Sequence, residues 1–415
     1  MNQHNFPPGK IKNCQICNST NLIDVINLGD QPLANTLLKK ADDDKIEKYP
    51  VNIVRCNECT LLQIDYIVDQ TKVYHLDYPY LPGITKTVDN EQLELSDYLH
   101  KELDLKKDQL VVDIGSNDGS LLKHFKAKGI ETLGVEPTNI SKIANQNGIQ
   151  TIQSFFNEKT AEGIAGKFGK AKLITCTNVF AHMSTLGDVM EGIVKLLDED
   201  GYFCFENHYI MEILDKVQYD TFYHEHLRTY SLISLNKLFE MYNLNLFDAM
   251  NVSRYGGSIR CVVSKKKISQ TERLRSLIKK EKNHLIDNSE KTYDTFINNI
   301  VSSKENLVKK IIELKSSNKK IIAKSCPARA VVLLNYCGLN NTHLDYIAEQ
   351  PTSLKLDQYV PGRKLKIVND DILKENEPDY ILLLAWHLSE PIINKWKKRG
   401  LQSKFIIPLP KVEII

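Results

Sequence analysis

The chain has 415 residues, enough for two to four domains, and its 54 basic residues nearly cancel its 52 acidic ones, for a net charge of +2. That balance provides no global field to gather a nucleic acid or to coat an anionic membrane, so any anionic ligand must be held locally. No apolar run reaches the roughly eighteen residues of a membrane span, the stretch Tyr380–Trp386 stopping at His387, and no secretory signal precedes the first cysteines; the sequence predicts a soluble, cytoplasmic protein.

Two Cys-x-x-Cys pairs, Cys14/Cys17 and Cys56/Cys59, lie near the amino terminus. Four thiolates in two paired turns fit a tetrahedral zinc ion, and with no open coordination position that ion is structural. Two disulfides are the alternative, disfavoured in a reducing compartment. The other cysteines, Cys176, Cys204, Cys261, Cys326 and Cys337, sit in apolar surroundings and read as core. A Tyr-rich stretch from Tyr74 to Gly83, broken by prolines, reads as an ordered loop that closes a zinc-binding module over residues 1–84.

Helical spacing from Thr85 to Leu103 precedes a β-α-β-α alternation: strands over 110–114, 132–136, 171–178 and 201–206, with helices over 120–128 and 140–147. This rhythm predicts a doubly wound parallel sheet, a Rossmann-like α/β domain over residues 85–264. Its first strand runs into Asp113-Ile-Gly115-Ser-Asn117-Asp118-Gly119, and Glu136 closes the second. Glycines let the backbone approach a ligand, and an acidic residue ending the second strand can accept both hydroxyls of an adenosine ribose. NAD and S-adenosylmethionine both satisfy that logic. The full G-x-G-x-x-G is missing, and Asp113 would repel a pyrophosphate but suits a cationic ligand, which favours S-adenosylmethionine. The strand ending at Asn178 then leads to His182, where such a domain begins its active site.

Between residues 206 and 232 lies Asp220-Thr-Phe-Tyr223-His224-Glu225-His226-Leu-Arg228. So many ionisable groups in a row are a poor core; a solvated turn, a metal site and an acid–base centre remain. Histidines at i and i+2 do not match the i, i+4 pair of a zinc peptidase helix. An acid–base centre fits better, since histidine titrates near neutrality and a neighbouring carboxylate can orient it. Residues 265–319 predict a pair of long amphipathic helices, and a second α/β rhythm follows with strands near 320–324, 344–349, 365–368 and 380–385 and a helix over 328–337. The carboxyl-terminal unit is thus a helical linker with an α/β domain over 265–415.

Taken together, these motifs resemble the sugar C-methyltransferases, enzymes that add a carbon-linked methyl to nucleotide-activated 4-keto-6-deoxyhexoses. The resemblance spans nearly the whole chain. It rests on the two cysteine pairs, on Asp113-x-Gly115-x-Asn117-Asp118-Gly119, on Tyr223-His-Glu225-His226, and on Leu333-Leu-Asn-Tyr336-Cys-Gly338 with Tyr359-Val-Pro361-Gly362. It implies three parts: a zinc module, a methyl-donor domain binding S-adenosylmethionine through Asp113, Gly115, Asn117, Asp118, Gly119, Glu136 and Asn178, and a Rossmann-like domain that encloses the nucleotide sugar. It also implies C3 deprotonation by His226, with Glu225 orienting it or binding a sugar hydroxyl. Tyr223 and His182 would hydrogen-bond the enolate oxygen, and Tyr78 or Tyr80 would close over the sugar. Arg329, Tyr336 and Tyr359 fall to the substrate. One departure stands out: Ser325-Cys-Pro327-Ala-Arg329-Ala replaces the family's Gly-Ala-Pro-Ala-Lys-Gly-like turn, leaving Arg329 as its cation. The nucleotide is thymidine or guanosine diphosphate, and the protein a monomer or homodimer without nucleic-acid or membrane partners. The rival readings are an O- or N-methyltransferase of a small acceptor and a non-catalytic zinc-ribbon binding protein.

Overall fold

The structure, a computed structural model, describes residues 4–41, 46–74 and 86–415. Tyr78 and Tyr80 lie outside the described residues. Three sheets carry the architecture. At the amino end, strands Leu22–Pro32, Lys48–Cys56 and Leu62–Ile64 form an antiparallel meander. A fourth strand, Arg228–Thr229, comes from far along the chain and pairs antiparallel with Leu62–Ile64, Arg228 opposite Gln63 and Thr229 opposite Leu62.

The central sheet has seven strands. Leu110–Ile114 lies in the middle and is buried along its whole length, as its apolar run requires of a strand covered on both faces. Glu131–Val135 and Thr151–Ile152 follow on one side; Ala171–Thr177 and Leu197–His208 follow on the other, all parallel. An antiparallel pair, Ser258–Ser264 and Asn245–Val252, completes that side. Numbered along the chain, the order is 3-2-1-4-5-7-6. The expected helices over 120–128 and 140–147 are Ser120–Ala127 and Ile140–Gln146, and the first of them starts from a left-handed Gly119 (φ +77°).

Residues 265–319 form helix Glu272–Lys282, a short π-helical turn Asn283–Asp287, and the 28-residue helix Ser289–Ser316. A six-stranded sheet follows in the order Ile367–Asn369, Ile347–Glu349, Ile321–Lys324, Tyr380–Leu383, Lys404–Ile407, Glu413–Ile414, parallel except for the last. Helix Ala328–Cys337 begins after Pro327 and ends at Gly338, whose φ of +71° supplies the left-handed cap that terminates helices cheaply. One continuous hydrophobic core joins residues of all three sheets, from Ile53 through Val112 to Leu382. Among the described residues no helix is long and apolar enough to cross a membrane.

A buried ion network fixes the first helix of the central unit against its sheet. Glu206, fully buried, accepts from Arg254 Nη1 (2.8 Å) and Arg260 Nε (2.7 Å). The same two arginines reach Glu91 and Glu94 on helix Lys86–Glu102. Removing one member of a buried ion cluster leaves its partners charged and desolvated, a loss of about 3–5 kcal/mol. Glu206→Ala should therefore lower the unfolding free energy by about that amount in urea titrations, whereas Glu94→Ala, whose carboxylate is exposed, should change it by less than about 1 kcal/mol.

Candidate active site

The four cysteines converge as their spacing requires. Each Cys-x-x-Cys turn brings two sulfurs together, and the strand pairing of Leu22 with Cys56 sets one turn against the other. All four sulfurs lie within 4.8 Å of one another, with Cys14–Cys59 at 3.4 Å and Cys17–Cys56 at 3.5 Å. Zinc–sulfur bonds of about 2.3 Å in a tetrahedron put sulfurs about 3.8 Å apart, so the residues fit the ion. Among the described residues this is the single cluster of metal-ligating side chains, so the histidines of the acid–base segment do not form one.

The cofactor turn lies at the carboxyl end of Leu110–Ile114, the edge where open α/β sheets bind ligands. Gly115 (φ +71°), Asn117 (φ +49°) and Gly119 (φ +77°) are left-handed. A Cβ on Gly115 would fall 2.6 Å from Val179 Cγ2, so only glycine admits this approach. Glu136 accepts from the Asn117 amide (3.1 Å) through one oxygen and from Thr138 (N–H 2.9 Å, O–H 2.7 Å) through the other. Asn178 Oδ1 and Ser116 Oγ are buried without a hydrogen-bond partner, polar atoms that a bound ligand would satisfy. Asp113 closes the strand below the turn, and its Oδ1 accepts from Thr175 Oγ1 (2.7 Å) on the neighbouring strand. Burial pushes its pKa up to about 7, and it braces the floor beneath the turn.

The acid–base segment folds into a tight turn in which the His226 amide donates to the Tyr223 carbonyl (2.8 Å). That turn puts Tyr223 and His226 side by side, ring centroids 4.0 Å apart, and sends the two residues between them elsewhere. His224 bonds the Tyr49 carbonyl (3.1 Å), and Glu225 accepts from Asn35 Nδ2 (2.6 Å), both in the amino-terminal unit. Glu225 therefore does not orient His226. The Thr221 carbonyl does, at 2.7 Å from Nδ1, with Thr221 Oγ1 at 3.2 Å. A carbonyl only accepts, so Nδ1 carries the proton and Nε2 is left with its lone pair.

His182 and His208 flank His226 at 4.8 and 4.7 Å between centroids, and Tyr74 stacks on His182 at 6.1 Å. Burial holds all three imidazoles below their ordinary range, His226 at about 4, so each is neutral at pH 7. Burial also raises the Tyr223 phenol, which stays protonated.

Arg329 occupies a different place from the one expected. Its guanidinium donates to Asp220 twice (2.9 and 2.6 Å), to Gln218 Oε1 (3.1 Å), to the Tyr255 carbonyl (3.2 Å) and to His387 Nδ1 (3.4 Å). All five donors are committed, so it ties the carboxyl-terminal unit to the acid–base segment and has no hydrogen left for a phosphate. Trp386 Nε1 adds a bond to Asp220 (2.8 Å). Tyr336 meets the segment at Tyr219, edge to face at 5.2 Å, and Tyr359 exchanges main-chain hydrogen bonds with Leu38 (2.7 and 3.0 Å). The sequence pointed to none of His208, Tyr255 or His387. His208 had one detectable signal: it ends strand Leu197–His208, at the same sheet edge as the cofactor turn.

Strand order, cofactor turn and orphaned polar atoms define an S-adenosylmethionine-dependent methyltransferase. Three domain families match the chain in succession: a zinc binding domain over residues 14–74, a methyltransferase domain over 89–249, and the C-methyltransferase C-terminal domain over 253–410. C-methyltransferase NovU of Streptomyces niveus is 29% identical over 413 residues, 98% of this chain and 97% of that protein. The methyltransferase YcgJ of Bacillus subtilis is 26% identical over 28% of this chain and 48% of its own length. A solved S-adenosylmethionine-dependent methyltransferase from Clostridium acetobutylicum aligns over 43% of this chain and 92% of its own, at 16% identity and a TM-score of 0.34. The chain is an S-adenosylmethionine-dependent C-methyltransferase with a zinc-binding domain, similar to NovU along nearly its whole length, and its cofactors are S-adenosylmethionine and zinc.

Zinc bears on the site through the shared sheet. Gln15, between the first two cysteines, donates to the Leu227 carbonyl (3.2 Å) and accepts from Arg228 Nη1 (2.6 Å). Cys56→Ser should abolish the zinc signal in elemental analysis of the purified protein. It should also raise amide exchange at residues 227–229, while strand Leu110–Ile114 stays protected.

Proposed function

We propose that this C-methyltransferase methylates C3 of a nucleotide-linked 4-keto-6-deoxyhexose, with thymidine or guanosine diphosphate as the nucleotide, in deoxysugar biosynthesis. A carbon acceptor must first lose a proton. A ketone at C4 makes the C3 hydrogen acidic enough for a side-chain base, and the single observation that carries the reading is the bare Nε2 of His226, its tautomer fixed by the Thr221 carbonyl. An O- or N-methyltransferase, whose acceptor already has a lone pair, needs no such base. Against the non-catalytic alternative stand the methyltransferase and C-methyltransferase domain matches and the likeness to C-methyltransferase NovU over 98% of the chain.

Bound S-adenosylmethionine supplies an electrophilic methyl group on a sulfonium. The chain's own residues do the rest. His226 takes the C3 proton on Nε2. The Tyr223 hydroxyl, protonated throughout, and a neutral His182 donate hydrogen bonds where charge develops on the C4 oxygen, the placement that contributes most to such steps. Glu225, which accepts from Asn35, is assigned to a sugar hydroxyl. With Arg329 committed to Asp220, the diphosphate is assigned to other groups of the carboxyl-terminal unit. The domain limits 1–84, 85–264 and 265–415 remain our division of the chain, with the qualification that residues 228–229 serve the first unit's sheet.

The reading is tested by mass gain on a panel of thymidine- and guanosine-linked 4-keto-6-deoxy sugars. One methyl resistant to O-demethylation is the expected result, and no gain with any ketone would overturn the sugar assignment. His226→Ala should abolish both methyl transfer and exchange of the C3 proton into deuterated water, with S-adenosylmethionine affinity within about threefold of wild type. Because His226 is neutral down to about pH 4, kcat/KM should hold from pH 7 to about 5 and fall only below it. An acid limb centred near 6.5 would place the essential base on a less buried group.

A further inference from the structure

We propose that His208 carries the abstracted proton away from His226, a role that rests on the reading of His226 as the base. The stoichiometry requires such a step. A C3–H bond and a sulfur–methyl bond break, one carbon–carbon bond forms, the sulfonium becomes a neutral thioether, and one proton is left on His226 Nε2. It must reach solvent before the next turnover.

His226 cannot release that proton unaided. The ring is buried, Nδ1 is held by the Thr221 carbonyl, and on that reading Nε2 is covered by the substrate while the methyl group is transferred. Three rings lie within 5 Å of it: Tyr223, His208 and His182. The Tyr223 phenol already holds its proton and has no basic site to take another. His182 is covered on one face by Tyr74 and stands beside the cofactor turn. His208 is half-buried, and its ring nitrogens make no hydrogen bond to any of the described residues, so one can receive a proton while the other passes one on. Its second ring neighbour is Tyr255, centroids 6.0 Å apart, on the side of Arg329 and His387.

The charges around His208 favour passage over storage. Burial above all opposes a proton there, and the charge of Arg329 and of a protonated His226 adds to it. The nearest carboxylate on its own strand, Glu206, is bound to Arg254 and Arg260. Among the described residues no carboxylate hydrogen-bonds or ion-pairs with His208, so a proton arriving there is not held, which is what a relay needs.

The experiment compares wild type with His208→Ala, and with His208→Gln as a second variant in case the first folds poorly. The substrate is whichever thymidine- or guanosine-diphosphate 4-keto-6-deoxyhexose wild type turns over. Rapid quench in weak buffer should show a first equivalent of methylated sugar formed at the wild-type rate, then a steady-state rate lower by about a hundredfold. Added imidazole should restore turnover in a saturable way, without changing the first equivalent and without effect on wild type. A steady-state rate equal to wild type overturns the relay, as does a first equivalent slowed as much as the steady state, which would place His208 in bond making. Should no ketone be turned over by wild type, the sugar reading falls, and the relay with it. If His226→Ala keeps proton exchange, the base assignment fails, and the relay from His226 fails for that reason alone.

Discussion

The rest of the site depends on how one irregular segment, residues 218–230, is gripped from both sides. The segment has little regular structure of its own: a three-residue helical turn, a tight turn at Tyr223–His226 and a two-residue strand. Isolated, such a stretch would pay a large conformational entropy for its few local hydrogen bonds. Its geometry is instead imposed by neighbours. The zinc unit takes its exit as a sheet strand and anchors Arg228 on Gln15, Glu225 on Asn35 and His224 on Tyr49. The carboxyl-terminal unit takes its start through the buried Asp220–Arg329 pair and Trp386.

This grip explains why a chain that methylates carbon carries two units besides the one that holds the methyl donor. A general base must sit within hydrogen-bond reach of its proton in a fixed orientation. A two-residue strand and a tight turn cannot guarantee that alone, but a zinc-stapled sheet on one flank and a desolvated ion pair on the other can. The buried pair contributes orientation more than stability, since the cost of desolvating Asp220 and Arg329 offsets much of their attraction. The four thiolates act in the same way at a distance, by fixing the knuckle that carries Gln15.

Burial also sets the chemistry of the three imidazoles. In water each would be partly charged near neutrality. Packed among His182, His208, His226 and Tyr223, with Arg329 nearby, none can hold a proton cheaply, so the cluster is neutral and one ring can take a proton only transiently. That low proton affinity is what the proposed base and relay require, and Asp113, itself raised by burial, lies beneath the cofactor turn.

The sequence alone determined those features that depend on residues close together in the chain. Cys-x-x-Cys turns, the apolar strand at 110–114, the glycine turn that follows it and the helix capped by Gly338 are all set by local periodicity, φ preference and ligand spacing. The cysteine cluster and the cofactor turn were legible for that reason, as was the grouping of Tyr223, Glu225 and His226 in one segment, though not which of them stand side by side. Contacts between residues far apart in the chain were decided by tertiary structure alone: Glu225 drawn to Asn35, Arg329 spending its donors on Asp220, His208 arriving from a strand end, and residues 228–229 completing a sheet begun near residue 22. A guanidinium looks the same in sequence whether it faces a phosphate or a buried carboxylate. What separates the two is which surface the folded core brings within about 3 Å of it, and long-range packing sets that distance.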